Sequence, residues 1–283
     1  MNHLKILLTL FCVSVFLVSC SEDPELIPIE NLEYQEMIDV SYGSDDDQVY
    51  DIYLPANRTF DTKVMILVHG GGWEAGDKED IDGFKDYVLD QELDIAVVNL
   101  NYRLANDINP PLPTQTDDIT SVVEHLKDNQ QDYQIGTDLG FIGASAGAHL
   151  SMLWSYEHDT ENQVKMVCSI VGPTNLADEA YLNSNNTALT DLFLPFGDTI
   201  EKLQAASPLF NVKSSSPPTI LFYGGMDPLV PNSQGIDMDA KLEELGIEHE
   251  FTLYPEEGHG WGGENLFDTA VKLRAFIDKH LVD

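Results

Sequence analysis

Apolar runs of strand length recur along this chain with stretches of helical periodicity between them, and that alternation restricts it to very few architectures. Val49–Leu54, Lys63–Val68, Asp94–Leu100, Leu139–Ile142, Val164–Val171, Thr219–Tyr223 and His249–Tyr254 are rich in Val, Ile, Leu and aromatics. Several are apolar without alternation, the pattern of strands covered on both faces. Between them Ile119, Val122, Val123 and Leu126 fall at helical spacing, as do Met238, Leu242 and Leu245 ahead of Gly246 as a helix stop. Ala270, Leu273, Ile277 and Leu281 mark a closing helix. Strand, helix, strand in that order predicts an α/β fold, with a mostly parallel sheet and helices on both faces.

No internal repeat divides residues 36–283, which read as one domain. One stretch breaks the rhythm. Residues Pro173 to Pro217 exceed an ordinary crossover and mix Asn, Ser and Pro with the apolar cluster Leu192-Phe193-Leu194-Pro195-Phe196, so a small packed lid is expected there.

The first residues read as an export signal. Lys5 precedes the apolar run Ile6–Val18, which is short for a membrane span and has the length of a signal-peptide core. The run ends in Leu17-Val18-Ser19-Cys20, which resembles the bacterial lipoprotein processing box. Residues 1–19 are then a signal peptide, Cys20 is lipidated, and residues 20–35 form a tether that begins with the acidic stretch Ser21–Glu25. The expected location is the outer membrane of a bacterium, with exposure at the cell surface, and attachment through the Cys20 lipid alone.

Charge narrows the partners. Asp and Glu number 49 against 14 Lys and Arg, a formal net charge of −35. Such a surface repels polyanions, so nucleic acid is not an expected partner. Of the three cysteines, Cys12 and Cys20 belong to the export signal and Cys168 sits in an apolar run, where a buried inert thiol is expected. No His or Cys cluster suggests a metal, Asp45-Asp46-Asp47 lacks the glycine and spacing of a calcium loop, and no motif calls for a cofactor.

Gly143-Ala144-Ser145-Ala146-Gly147 follows one strand and opens a helical segment. A serine at so sharp a turn is pushed up at the carboxyl edge of the sheet, and small neighbours leave room for a substrate. Val68-His69-Gly70-Gly71-Gly72-Trp73 ends an earlier strand; its glycines let backbone N–H groups approach a developing oxyanion, and His69 reads as an anchor of that loop. A serine nucleophile needs a base, and the base needs an orienting acid. Asp227 lies just past one later strand and His259 just past the next, in the order Ser, Asp, His. Glu256 and Glu257 are rivals for the acid, while His125, His149, His158, His249 and His280 lie in helical or strand surroundings.

From about Val49 to Leu281 the chain resembles the α/β-hydrolase superfamily and, within it, the His-Gly-Gly-Gly esterases. The resemblance rests on His69–Trp73, Asn101-Tyr102-Arg103-Leu104, Gly143–Leu150, Gly172-Pro173-Thr174, Ser207-Pro208-Leu209, Asp227–Pro231 and Gly258-His259-Gly260. It points to the acetylxylan and feruloyl esterase-like branch, with hormone-sensitive-lipase-like esterases further off because their N-terminal cap has no counterpart here. The resemblance implies an oxyanion hole from the N–H groups of Gly71, Gly72 and Ala146. It also implies a serine esterase acting through an acyl-enzyme on short or aromatic acyl esters of a small molecule or saccharide. Two alternatives stay open: a peptidase or amidase on the same fold, and a non-catalytic binding module.

Overall fold

The computed structural model describes residues 26–91 and 93–282. The signal-peptide reading of residues 1–19, the lipidated Cys20 and the acidic stretch Ser21–Glu25 lie outside them. Eight strands form one sheet: β1 (Gln35–Ser41), β2 (Val49–Leu54), β3 (Lys63–Val68), β4 (Ile95–Leu100), β5 (Leu139–Ala144), β6 (Val164–Ile170), β7 (Thr219–Gly224) and β8 (His249–Tyr254). Their spatial order is β1-β2-β4-β3-β5-β6-β7-β8, with β2 antiparallel to both neighbours and every pairing from β4 onward parallel.

The unbroken apolar runs have a direct cause. Along β3, Val64, Ile66 and Val68 enter one core while Met65 and Leu67 enter the other. Along β4, Ala96, Val98 and Leu100 alternate in the same way with Ile95 and Val97. Both faces are therefore dry, and polar residues on either would be costly. Helices α1 (Asp82–Asp90), α2 (Pro111–Asp128), α3 (Gln130–Tyr133) and α4 (Ala146–Glu157) follow in the first half of the chain. The segment after β6 carries α5 (Glu179–Leu182), α6 (Thr187–Asp191), α7 (Ile200–Ala205) and α8 (Pro208–Asn211), and the chain closes with α9 (Ser233–Leu245) and α10 (Gly263–Ile277). Ile119, Val122 and Leu126 of α2 and Leu150 and Trp154 of α4 fill the first core; Val88 of α1 and Leu273 and Phe276 of α10 fill the second.

Two features differ from the sequence pattern. β1 is an edge strand, mostly exposed and broken by a register shift between Met37 and Val40, so it presents no apolar periodicity. Helix α2 begins at Pro111, well before its first apolar signal, because its early buried positions are Gln115, Thr116 and Asp118. Each makes side-chain hydrogen bonds, although Gln115 Oε1 is left without a partner. Gln115 Nε2 donates to the carbonyls of Trp73 (2.7 Å) and Arg103 (3.0 Å). Asp118, fully buried, accepts from the Arg103 guanidinium at 2.6 Å, from the Arg103 backbone N–H at 2.8 Å and from Gln48 Nε2 at 2.8 Å.

Removing a buried acceptor of this kind strands its donors. Because Arg103 keeps some access to water, Asp118→Ala is expected to cost roughly 2–3 kcal/mol rather than the full penalty of a buried pair. Chemical denaturation at neutral pH checks this, and a loss below about 0.5 kcal/mol would show the network to be dispensable.

Candidate active site

Ser145 is the single residue between β5 and α4, with φ 53° and ψ −119°. A non-glycine residue there is strained by about 1–3 kcal/mol, so its surroundings must hold it. Its own N–H donates to the Ile170 carbonyl of the adjacent strand at 2.8 Å. Gly147, two residues further, lies so close to β3 that a Cβ would stand 2.1 Å from the Val68 carbonyl oxygen. Only glycine lets α4 dock this tightly under the serine.

The loops after β7 and β8 bring the other two residues to the same edge. His259 Nε2 is 3.0 Å from Ser145 Oγ, and His259 Nδ1 donates to Asp227 Oδ2 at 2.7 Å. The Asp227 carboxylate is fully covered, and its other oxygen accepts from the N–H groups of Leu229 (2.8 Å) and Val230 (3.0 Å). These contacts fix its orientation toward the imidazole. Of the rival acids, Glu257 is engaged elsewhere, accepting from Asn265 Nδ2 at 2.7 Å. The rival histidines are distant in role: His125 pairs with Tyr50 at 2.9 Å, and His249 bonds the Ile247 carbonyl at 2.7 Å.

The glycine loop faces the serine. Gly71 has φ 113° and Gly72 φ 60°, and a Cβ at Gly71 would collide with the Ala75 carbonyl at 1.9 Å. Behind the loop, His69 is buried, donates from Nδ1 to the Gly70 carbonyl at 2.7 Å and stacks on Tyr102 at 4.3 Å. Burial depresses its basicity, and Tyr102 Oη donates to the His69 carbonyl at 2.9 Å. His69 thus sits as the loop anchor. Ala146 is the first residue of α4, so its N–H has no carbonyl one turn back to bond.

Gly70 to Trp73, Ala144 to Ala146 and His259 line one cleft of about 600 Å³. One wall comes from the segment after β6, with Tyr181, Leu189, Leu192 and Phe193; the other carries Phe84, Trp261 and Leu266. Tyr181 and Trp261 were not singled out by sequence. Trp261 could have been, since it lies two residues past the candidate base; Tyr181 sits in a segment without periodicity. Cys168 is fully buried, and burial raises its thiol pKa, consistent with an inert core residue.

The BD-FAE family model matches residues 50–242, which carry the glycine loop, Ser145 and Asp227. The chain belongs to the BD-FAE family. Among curated proteins, this BD-FAE member is 26% identical over 83% of its length to an isoprenylcysteine alpha-carbonyl methylesterase of Arabidopsis thaliana, and spans 61% of that relative. Among solved structures it matches a truncated carbohydrate esterase from gut microbiota with a TM-score of 0.72 and 21% identity, covering 89% of this chain and 99% of the other. It also matches a bifunctional GH43-CE protein of Bacteroides eggerthii, TM-score 0.72 and 24% identity, covering 85% of this chain and 38% of that one. The fold is the α/β-hydrolase fold.

His149 ties the site together from below. It is fully buried, accepts from Trp73 Nε1 on Nδ1 at 3.2 Å and donates from Nε2 to the Ala206 carbonyl at 2.8 Å, so it is neutral. Burial lowers its pKa to about 4, with the Ala206 carbonyl opposing the shift. The unfolded chain therefore binds more protons than the native one between that value and the ordinary 6.5, and stability is lost as pH falls through this window. From pH 7 to pH 5 this one group is expected to cost about 2 kcal/mol. In His149→Gln the gap between denaturation midpoints at the two pH values should shrink; an unchanged gap would assign the acid sensitivity elsewhere.

Proposed function

We propose that this chain is a serine carboxylic-ester hydrolase working through an acyl-enzyme. The observation that carries the reading is the continuous hydrogen-bonded line Ser145–His259–Asp227 at the lip of a cleft. Ser145 Oγ attacks the ester carbonyl while His259 Nε2 takes its proton. Asp227 fixes the tautomer and stabilises the imidazolium as it forms. The N–H groups of Gly71, Gly72 and Ala146 receive the charge that develops on the carbonyl oxygen. His259 returns the proton to the departing alcohol, then activates water to release the acid.

The substrate class we propose is short or aromatic acyl esters on carbohydrate, such as acetyl or feruloyl groups. Support comes from a cleft of modest volume, from membership of the BD-FAE family, and from likeness of fold to proteins described as carbohydrate esterases. The segment from residue 173 to 217 acts as a small lid that shapes the acyl end of the cleft. Residues 1–35 are proposed to supply the signal peptide, the lipidated Cys20 and the tether to an outer membrane.

Ser145→Ala is expected to abolish fluorophosphonate labelling and lower ester turnover at least about a thousandfold, while shifting Tm by less than about 4 °C. Labelling that survives the substitution would refute the nucleophile. An anilide with the same acyl group, turned over as fast as the ester, would favour an amidase instead. Radiolabelled palmitate supplied to a bacterial host should be incorporated into the wild type and not into Cys20→Ser; equal labelling of the two, or none of the wild type, would overturn the lipid anchor.

A further inference from the structure

The departing oxygen takes its proton from His259, so the alcohol part of an ester lies on the His259 side of Ser145 and the acyl part lies across from it. The two walls of the cleft differ accordingly. Leu189, Leu192 and Phe193 make the lid wall apolar. Trp261 continues the loop that carries His259 and, with Phe84, packs against the second core; Leu266 and the exposed Asp80 line the cleft as well.

Trp261 is held in place before any ligand arrives. Its Nε1 donates to Thr269 Oγ1 at 2.8 Å, and its ring meets Tyr254 at 4.9 Å with a 56° tilt. One edge and one side are thereby fixed, yet the indole is partly exposed and lines the cleft. Asp80 Oδ2 accepts from the Asp77 backbone N–H at 3.0 Å, which leaves further lone pairs on an exposed carboxylate.

We propose that Trp261, with Phe84 and Asp80, forms the subsite for the alcohol and that it takes a sugar ring. This rests on the serine-esterase reading above. A pyranose has a face of C–H groups that fits the electron-rich face of an indole, and hydroxyls at its rim that donate to a carboxylate. An alkyl alcohol satisfies neither.

The test compares kcat/KM for an O-acetylated xylo-oligosaccharide with kcat/KM for ethyl acetate, whose ethanol cannot stack. In Trp261→Leu the ratio of saccharide to ethyl ester is expected to fall at least tenfold, mainly through KM, and in Trp261→Phe to stay within threefold of the wild type. Asp80→Asn, a surface change that spares the core, should lower the ratio about threefold. Ratios unchanged in Trp261→Leu and Asp80→Asn would overturn the subsite. So would a wild type that hydrolyses ethyl acetate but not the acetylated saccharide, an outcome that leaves the serine reading intact. No turnover of either ester together with no fluorophosphonate labelling would remove the serine reading, and the subsite with it.

Discussion

A serine held at φ 53° persists only because everything around it refuses the alternatives. The Ser145 N–H is fixed to the Ile170 carbonyl, and α4 is pressed against β3 through Gly147. That docking in turn depends on a sheet buried on both faces, whose parallel strands β5, β7 and β8 end along one edge. The strain at one residue is offset by two hydrophobic cores, and the hydroxyl is thereby presented to an imidazole that reaches it from another strand end. The catalytic-type geometry is a consequence of sheet topology before it is a matter of local motif.

The glycine loop is supported differently, through polar contacts converging on its carbonyl groups. Tyr102 and Gln115 bind the carbonyls of His69 and Trp73, and Ala105 N–H adds a 2.8 Å bond to Trp73. Trp73 then reaches His149 on α4, and His149 reaches Ala206 in the segment after β6. Phe196 packs edge-on against both Trp73 and His149. Glycine loop, serine helix and proposed lid thus share one buried node. A change in that node perturbs several parts of the cleft together, because buried hydrogen bonds and close packing leave little slack.

Much of this was legible in the residues. Strands β2, β3 and β8 were bounded correctly because their apolar runs stop where the strands stop, and Gly246 ends α9 with φ 68° as a left-handed cap. Ser145, Asp227 and His259 could be nominated because each follows a strand, and the structure brings the three together. What sequence could not display was anything held by polar groups from distant segments. Gln115 and Asp118 look like solvent-facing residues of a helix start until Trp73 and Arg103 are placed beside them. β1 is hidden for the opposite reason, since an exposed edge strand needs no apolar pattern.

The extreme acidity acquires a role on the esterase reading. Arg103, Lys63, Lys78, Lys85, Lys127, Lys165, Lys272 and Arg274 are each paired with a carboxylate, so the few cations are largely spent locally and the surrounding field stays negative. A neutral ester feels little of that field, but hydrolysis converts it into a carboxylate inside the cleft. Asp80 is exposed and lines the same cleft as Ser145, so its charge adds to the field that such an anion meets on its way out. The same charge that turns polyanions away would then act selectively on the product, weakening its hold without weakening that of the substrate.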